Sequence, residues 1–125
     1  MTKNFNLSEF ECNDGSKMPL EVYENIVKLA QQLQFLRDYT GRPITINSAY
    51  RSPEHNAKIG GVKTSQHLLG KAADITIQSL KPAEVYKIIE DLIDMGEMLQ
   101  GGLGLYDTFV HYDIRKTKAR WNYAK

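Results

Sequence analysis

Five apolar residues, Val22, Ile26, Leu29, Leu33 and Leu36, recur at spacings of four, three, four and three. That rhythm places them on one face of an α-helix, and the face must be covered by something apolar. Pro19 suits the first position of such a helix, Gly41 ends it, and Pro43 forbids continuation. A second stripe, Val85, Ile88, Ile89, Leu92 and Ile93, starts after Pro82 and stops at Gly96. The runs between and after the stripes are too short for helices. Ile44-Thr45-Ile46-Asn47-Ser48 alternates apolar and polar residues, and Asp74-Ile75-Thr76-Ile77 is β-branched. Val110, Tyr112 and Ile114 alternate with His111, Asp113 and Arg115, so the latter three share one face of a strand. One-faced helices and one-faced strands bury their apolar sides against each other. The expected fold is a small α+β domain. A mostly antiparallel sheet from the segments near 44–48, 73–77, 101–106 and 109–114 is backed by the two longer helices.

The remaining stretches are shorter. Phe5, Leu7 and Phe10 are expected to pin an irregular N-terminal arm onto the domain, with Asn13-Asp14-Gly15 as a turn. Ser52-Pro53-Glu54 reads as a helix start, Ser52 as cap and Pro53 in the first turn, with the helix running to about Ile59. His55 lies on it without a partner in local spacing and reads as a surface or packing histidine. The glycine-rich stretch Gly101-Gly102-Leu103-Gly104 lacks the Gly-Lys-Ser/Thr ending of a phosphate loop, and no helix pattern follows it. It reads instead as a strand whose backbone passes close to something.

At 125 residues the chain is expected to be one domain, 1–125, with a core that needs no staples. A formal net charge of +1 advertises no polyanion-binding face, so nucleic acid is not expected as a partner. The single cysteine, Cys12, excludes an intrachain disulfide and reads as a small buried hydrophobe. Met1-Thr2-Lys3-Asn4 leads into no apolar signal region and no run approaches transmembrane length. Neither export by signal peptide nor membrane insertion is expected, and the chain is expected to be a monomer.

The chemistry concentrates in Ser65-Gln66-His67-Leu68-Leu69-Gly70-Lys71-Ala72-Ala73-Asp74. On a continuous helix, seven residues rise about 10.5 Å, too far for His67 and Asp74 to share one ion. A chain reversal near Gly70 puts them on adjacent arms, where they converge. Imidazole and carboxylate are both zinc ligands, and a catalytic site needs a third. His111 is the best candidate.

The pattern Ser65-x-His67-x-x-Gly70-x-Ala72-x-Asp74, with Tyr50-Arg51-Ser52-Pro53 upstream and His111-x-Asp113-x-Arg115 downstream, resembles the zinc peptidases of the M15 group. The likeness runs from about Phe5 to Trp121. That group includes D-alanyl-D-alanine carboxypeptidases and phage L-alanyl-D-glutamate endopeptidases, which cut peptidoglycan stem peptides. The resemblance implies Zn²⁺ held by His67, Asp74 and His111 on the open face of a hedgehog/D-Ala-D-Ala-peptidase-like fold. It assigns Arg51 to the substrate carboxylate or the growing oxyanion, a task suited to its fork. It assigns Ser65 to substrate contact, beside the alternative that its hydroxyl holds a loop.

Several relatives carry a Glu three residues before the last zinc histidine, where this chain has Thr108. Asp113 is the first replacement as general base, its α-carbon about 6.6 Å from that of His111 along the strand. Its alternative role is to orient a zinc histidine; Asp107 and Tyr106 are the other candidates. Without a base, the chain reads as a non-catalytic zinc-containing module that binds wall peptides or a protein partner. With no export signal visible, a wall-directed enzyme is expected to leave the cytoplasm by another route, such as phage-type lysis.

Overall fold

The computed structural model describes residues 1–125. The first stripe forms α1, Leu20–Thr40, preceded by Pro19 as its cap and closed by Gly41 in the left-handed region. Two strands follow around a short helix and a turn: β1, Ile44–Ser48; α2, Pro53–Lys58; a 3₁₀ turn over Gln66–Leu69; and β2, Ala72–Ile77. The second stripe forms α3, Pro82–Asp94. The chain then lays down β3, Gly102–Leu105, β4, Val110–Asp113, and β5, Ala119–Asn122.

The strands form one five-stranded sheet in the order β1-β2-β4-β3-β5. The β1–β2, β2–β4 and β3–β4 pairs are antiparallel, but β3 and β5 run parallel. The sheet is therefore mixed, a correction to the mostly antiparallel sheet that the sequence suggests. The geometry of the chain explains it. After β4 the backbone steps past the start of β3 and runs back along the open edge that the β3–β4 hairpin leaves. A strand antiparallel to β4 in that place is necessarily parallel to β3. Arg120 fastens it, donating from Nε to Glu90 of α3 (2.6 Å) and from Nη1 to the Gly101 carbonyl (2.6 Å).

Strand alternation divides the sheet into two faces. Ala73, Ile75 and Ile77 of β2, Leu103 of β3, and Val110 and Tyr112 of β4 join one apolar core with Ile26, Leu29, Leu33 and Leu36 of α1 and Val85, Ile89 and Leu92 of α3. Each fully buried aliphatic side chain contributes about 1.5–3 kcal/mol. In the N-terminal arm, Phe5 and Phe10 are buried edge to face, with ring centroids 6.1 Å apart. Leu7, expected to help pin the arm, is 37% exposed. It sits in a short 3₁₀ turn between the two phenylalanines and faces outward.

Gly70 fixes the approach to the other face. Its φ of +71° reverses the chain after the 3₁₀ turn, and a Cβ there would stand 2.6 Å from the Val22 side chain and 2.8 Å from its carbonyl. Gly70→Ala would combine backbone strain with a clash against α1, so it is expected to lose about 1–3 kcal/mol. Urea denaturation checks this; an unchanged midpoint would refute the close approach.

Candidate metal centre

The polar sheet face carries a row of residues, one from each strand. Ser48 of β1 lies opposite Asp74 of β2, and Asp74 opposite His111 of β4. His111 lies opposite Gly104 of β3, and Gly104 beside Trp121 of β5. Directly opposed side chains on one face are neighbours, which is why His111 Nδ1 sits 3.1 Å from Asp74 Oδ1.

His67 reaches the same point from outside the sheet. Ser65 Oγ accepts the His67 N–H at 3.1 Å and caps the 3₁₀ turn, and the Arg51 N–H donates to the His67 carbonyl at 3.1 Å. The ring then donates from Nδ1 to the Ala49 carbonyl at 2.6 Å, which turns Nε2 toward Asp74 Oδ1, 3.2 Å away. His67, Asp74 and His111 are all buried, and one donor atom from each lies within 4.8 Å of the others. The chain reversal expected at Gly70 thus brings the three residues together.

Each histidine has its second nitrogen committed elsewhere. His111 donates from Nε2 to Asp113 Oδ2 at 2.7 Å, as His67 Nδ1 does to a carbonyl. If no cation stood between them, both rings would need a second proton to contact Asp74, putting two imidazoliums on one buried carboxylate. A divalent ion satisfies the same three donors with the rings neutral, and outer acceptors of this kind fix metal-binding tautomers. The donor set fits zinc. Burial pushes the Asp74 carboxyl up, but hydrogen bonds from His111 and His67 outweigh it and hold it well below the usual carboxylate range.

These residues form the floor of an open cleft of about 420 Å³. Arg51, Ser65, Tyr106 and Arg115 edge it. The Arg51 guanidinium is loosely held, 3.4 Å from Asp74 Oδ2, 3.4 Å from Asn56 Oδ1 and 3.3 Å from Ser48 Oγ. Ser65 borders the cleft while capping the turn, so both of its expected roles have a geometric basis.

Asp113 stands behind His111 rather than on the cleft, the position that suits its alternative role of orienting a zinc histidine. It is fully buried and does not line the cleft. Its Oδ1 accepts from the Gly102 N–H (2.8 Å) and the Arg115 N–H (3.1 Å), and its Oδ2 from His111 (2.7 Å) and Arg115 Nη2 (2.7 Å). Burial raises its pKa, but the hydrogen bonds from His111 and Arg115 dominate and lower it on balance. All of these bonds keep the carboxylate fixed beside the His111 ring. The glycine-rich strand makes room for it: a Cβ at Gly102 would collide with the Asp113 carboxylate, and one at Gly104 with the Trp121 indole.

Trp121 is a supporting residue that sequence reasoning missed. Its ring lies 5.0 Å from that of His111, Arg115 stacks over it at 5.5 Å, and its Nε1 donates to the Tyr106 hydroxyl at 3.0 Å. Being the sole tryptophan was the available signal. Asp107 turns away, its Oδ1 accepting the Lys125 N–H at 2.7 Å.

The family model of Peptidase M15 matches residues 3–113. The chain belongs to the M15 group of zinc peptidases. This M15 chain is also 33% identical over 78 residues to a zinc D-Ala-D-Ala carboxypeptidase from Streptomyces albus G. The alignment covers 58% of this chain and 31% of that relative, so the M15 chain spans about a third of the relative's length. In an M15 site built this way, Asp113→Asn is expected to weaken zinc affinity about 10–100-fold. Competition with a chromophoric chelator measures that. A variant with full affinity but no activity in saturating zinc would return Asp113 to proton transfer.

Proposed function

We propose that this chain is a zinc-dependent peptidase acting on peptidoglycan stem peptides, with His67, Asp74 and His111 as the metal ligands. One observation carries the reading. Two histidines, each anchored through its other nitrogen, aim at a single Asp74 oxygen on the floor of a cleft edged by Arg51. When bound, zinc supplies a Lewis acid there and brings the pKa of a coordinated water to about 7. Family membership and the carboxypeptidase relative support the substrate class. We assign the arrangement to the hedgehog/D-Ala-D-Ala-peptidase-like architecture on the same grounds.

The chain's own residues take distinct parts. Arg51, held by contacts of 3.3–3.4 Å, is free to swing onto a substrate carboxylate or a developing oxyanion. Ser65 offers a hydroxyl at the cleft edge. Tyr106 borders the cleft with its hydroxyl accepting from Trp121, so its own proton is available to a scissile group. Asp113 keeps the His111 ring in place.

One observation favours a second reading. Asp74 is the sole carboxylate lining the cleft, so no free carboxylate base faces substrate. A zinc-containing module that binds wall peptides without cutting them fits that fact. No helix is long and apolar enough to cross a membrane, and we propose that a single-domain monomer reaches the wall by lysis. Incubating the zinc-loaded protein with purified peptidoglycan and identifying fragments by mass spectrometry decides among these. Released D-alanine marks a carboxypeptidase and cut stem peptides an endopeptidase. Sedimentation with the wall and no fragments would overturn the enzyme in favour of the module.

A further inference from the structure

A second convergence of metal-binding side chains lies outside the cleft. Cys12 and Asp14 belong to the N-terminal arm and His55 to α2, yet one donor atom from each lies within 4.8 Å of the others. None of the three lines the catalytic cleft. We propose that Cys12, Asp14 and His55 form a second site for a divalent transition-metal ion of the zinc class.

The donor set selects the ion. A thiolate, an imidazole and a carboxylate together suit zinc and its transition-metal neighbours, whereas calcium and magnesium take oxygen ligands. Cys12 is buried, His55 half-buried and Asp14 exposed, so the site has a dry wall and an open side for entry and a water ligand. Binding exchanges the Cys12 thiol proton, released to solvent, for the ion.

Ser52 touches the donor groups of Cys12 and Asp14 and the backbone of His55. Its N–H donates to Cys12 Sγ at 3.3 Å and its hydroxyl to Asp14 Oδ2 at 2.9 Å. Its Oγ also accepts the His55 N–H at 3.1 Å as the cap of α2. The Asp14 carboxylate is steadied further by the Ser16 N–H on Oδ1 at 2.8 Å. Outer hydrogen bonds that orient ligands in this way are a feature of metal sites.

The ion would be structural. The arm already meets the loop after β1, where the Tyr50 N–H donates to the Phe10 carbonyl at 3.1 Å. Ligands from both segments would lock the arm to the stretch that carries Arg51, next to Ser52. The two sites share no ligand, so either ion can be removed without taking a donor from the other.

Metal counting tests it. After dialysis against excess zinc, the parent protein should hold about two equivalents, and Cys12→Ser, His55→Ala and His67→Ala about one each. Cobalt substitution separates the sites, since Cys12 is the sole thiol in the chain. A thiolate-to-cobalt charge-transfer band should appear in the parent, persist in His67→Ala and vanish in Cys12→Ser. His55→Ala removes a half-exposed ring and guards against misfolding of the Cys12 variant, with circular dichroism as the check. A parent metal count unchanged by Cys12→Ser and His55→Ala, or a cobalt spectrum without the thiolate band, would overturn the site. Loss of metal in the Cys12 and His55 variants but not in His67→Ala would support it while refuting the cleft ligands.

Discussion

His67→Ala should bind about one metal equivalent less than the parent chain and fall below detectable peptidase activity. The ring is 3% exposed and sits between the Ala49 carbonyl and Asp74, so no other side chain can take its place. The fold should survive, because the backbone contacts of the turn do not use the imidazole. Ser65 still caps it and Arg51 still donates to the residue 67 carbonyl. Removing zinc from the parent with a chelator should likewise lower the melting temperature without unfolding the chain. The core of α1, α3 and the opposite sheet face is buried with no help from a metal. Elemental analysis, activity and far-UV circular dichroism on one preparation check all three statements. Unchanged stoichiometric metal in His67→Ala would sink the ligand assignment, and a random coil after chelation would make the cleft ion a folding requirement.

Arg51→Ala should cut turnover about 10²–10³-fold while leaving the metal content intact. The residue touches Asp74 only through Nη2 at 3.4 Å, on the oxygen that the histidines do not use. Its removal therefore takes a cation from the cleft without disturbing the donors. Arg51→Lys keeps the charge but not the planar fork, so it should recover only part of the rate. Steady-state kinetics separates the two tasks proposed for the guanidinium. A fall in kcat reports support of the developing charge, and a rise in KM alone reports capture of a substrate carboxylate. Wild-type kcat/KM in Arg51→Ala would remove the residue from the mechanism.

The parts of this site that were legible in the sequence are those set by short-range geometry. Alternation put His111 and Asp113 on the polar face, and Gly70 supplied the reversal that joins His67 to Asp74. Alternation could not say which neighbours Asp113 would find there. Arg115 shares its face by alternation, but the Gly102 N–H becomes a partner only once β3 lies beside β4. The last strand escaped for a related reason. Ala119–Asn122 has little pattern of its own and is a strand because β3 offers it an open edge. Leu7 carried the right composition for an anchor, but a turn between two buried phenylalanines left it facing solvent. His55 looked solitary because Cys12 and Asp14 reach it from the far side of the long helix in sequence, where no local spacing rule applies.

The row Ser48–Asp74–His111–Gly104–Trp121 makes the centre a gauge of strand alignment. Adding or deleting one residue within β2 or β4 would turn its donor to the apolar side. A two-residue slip would keep the side but displace the donor by about 6.6 Å along the strand. Only a chain paired in the native register at the β2–β4 junction brings Asp74 opposite His111. A molecule mispaired there is thus chemically silent, and metal uptake during refolding would time the moment at which these two strands lock.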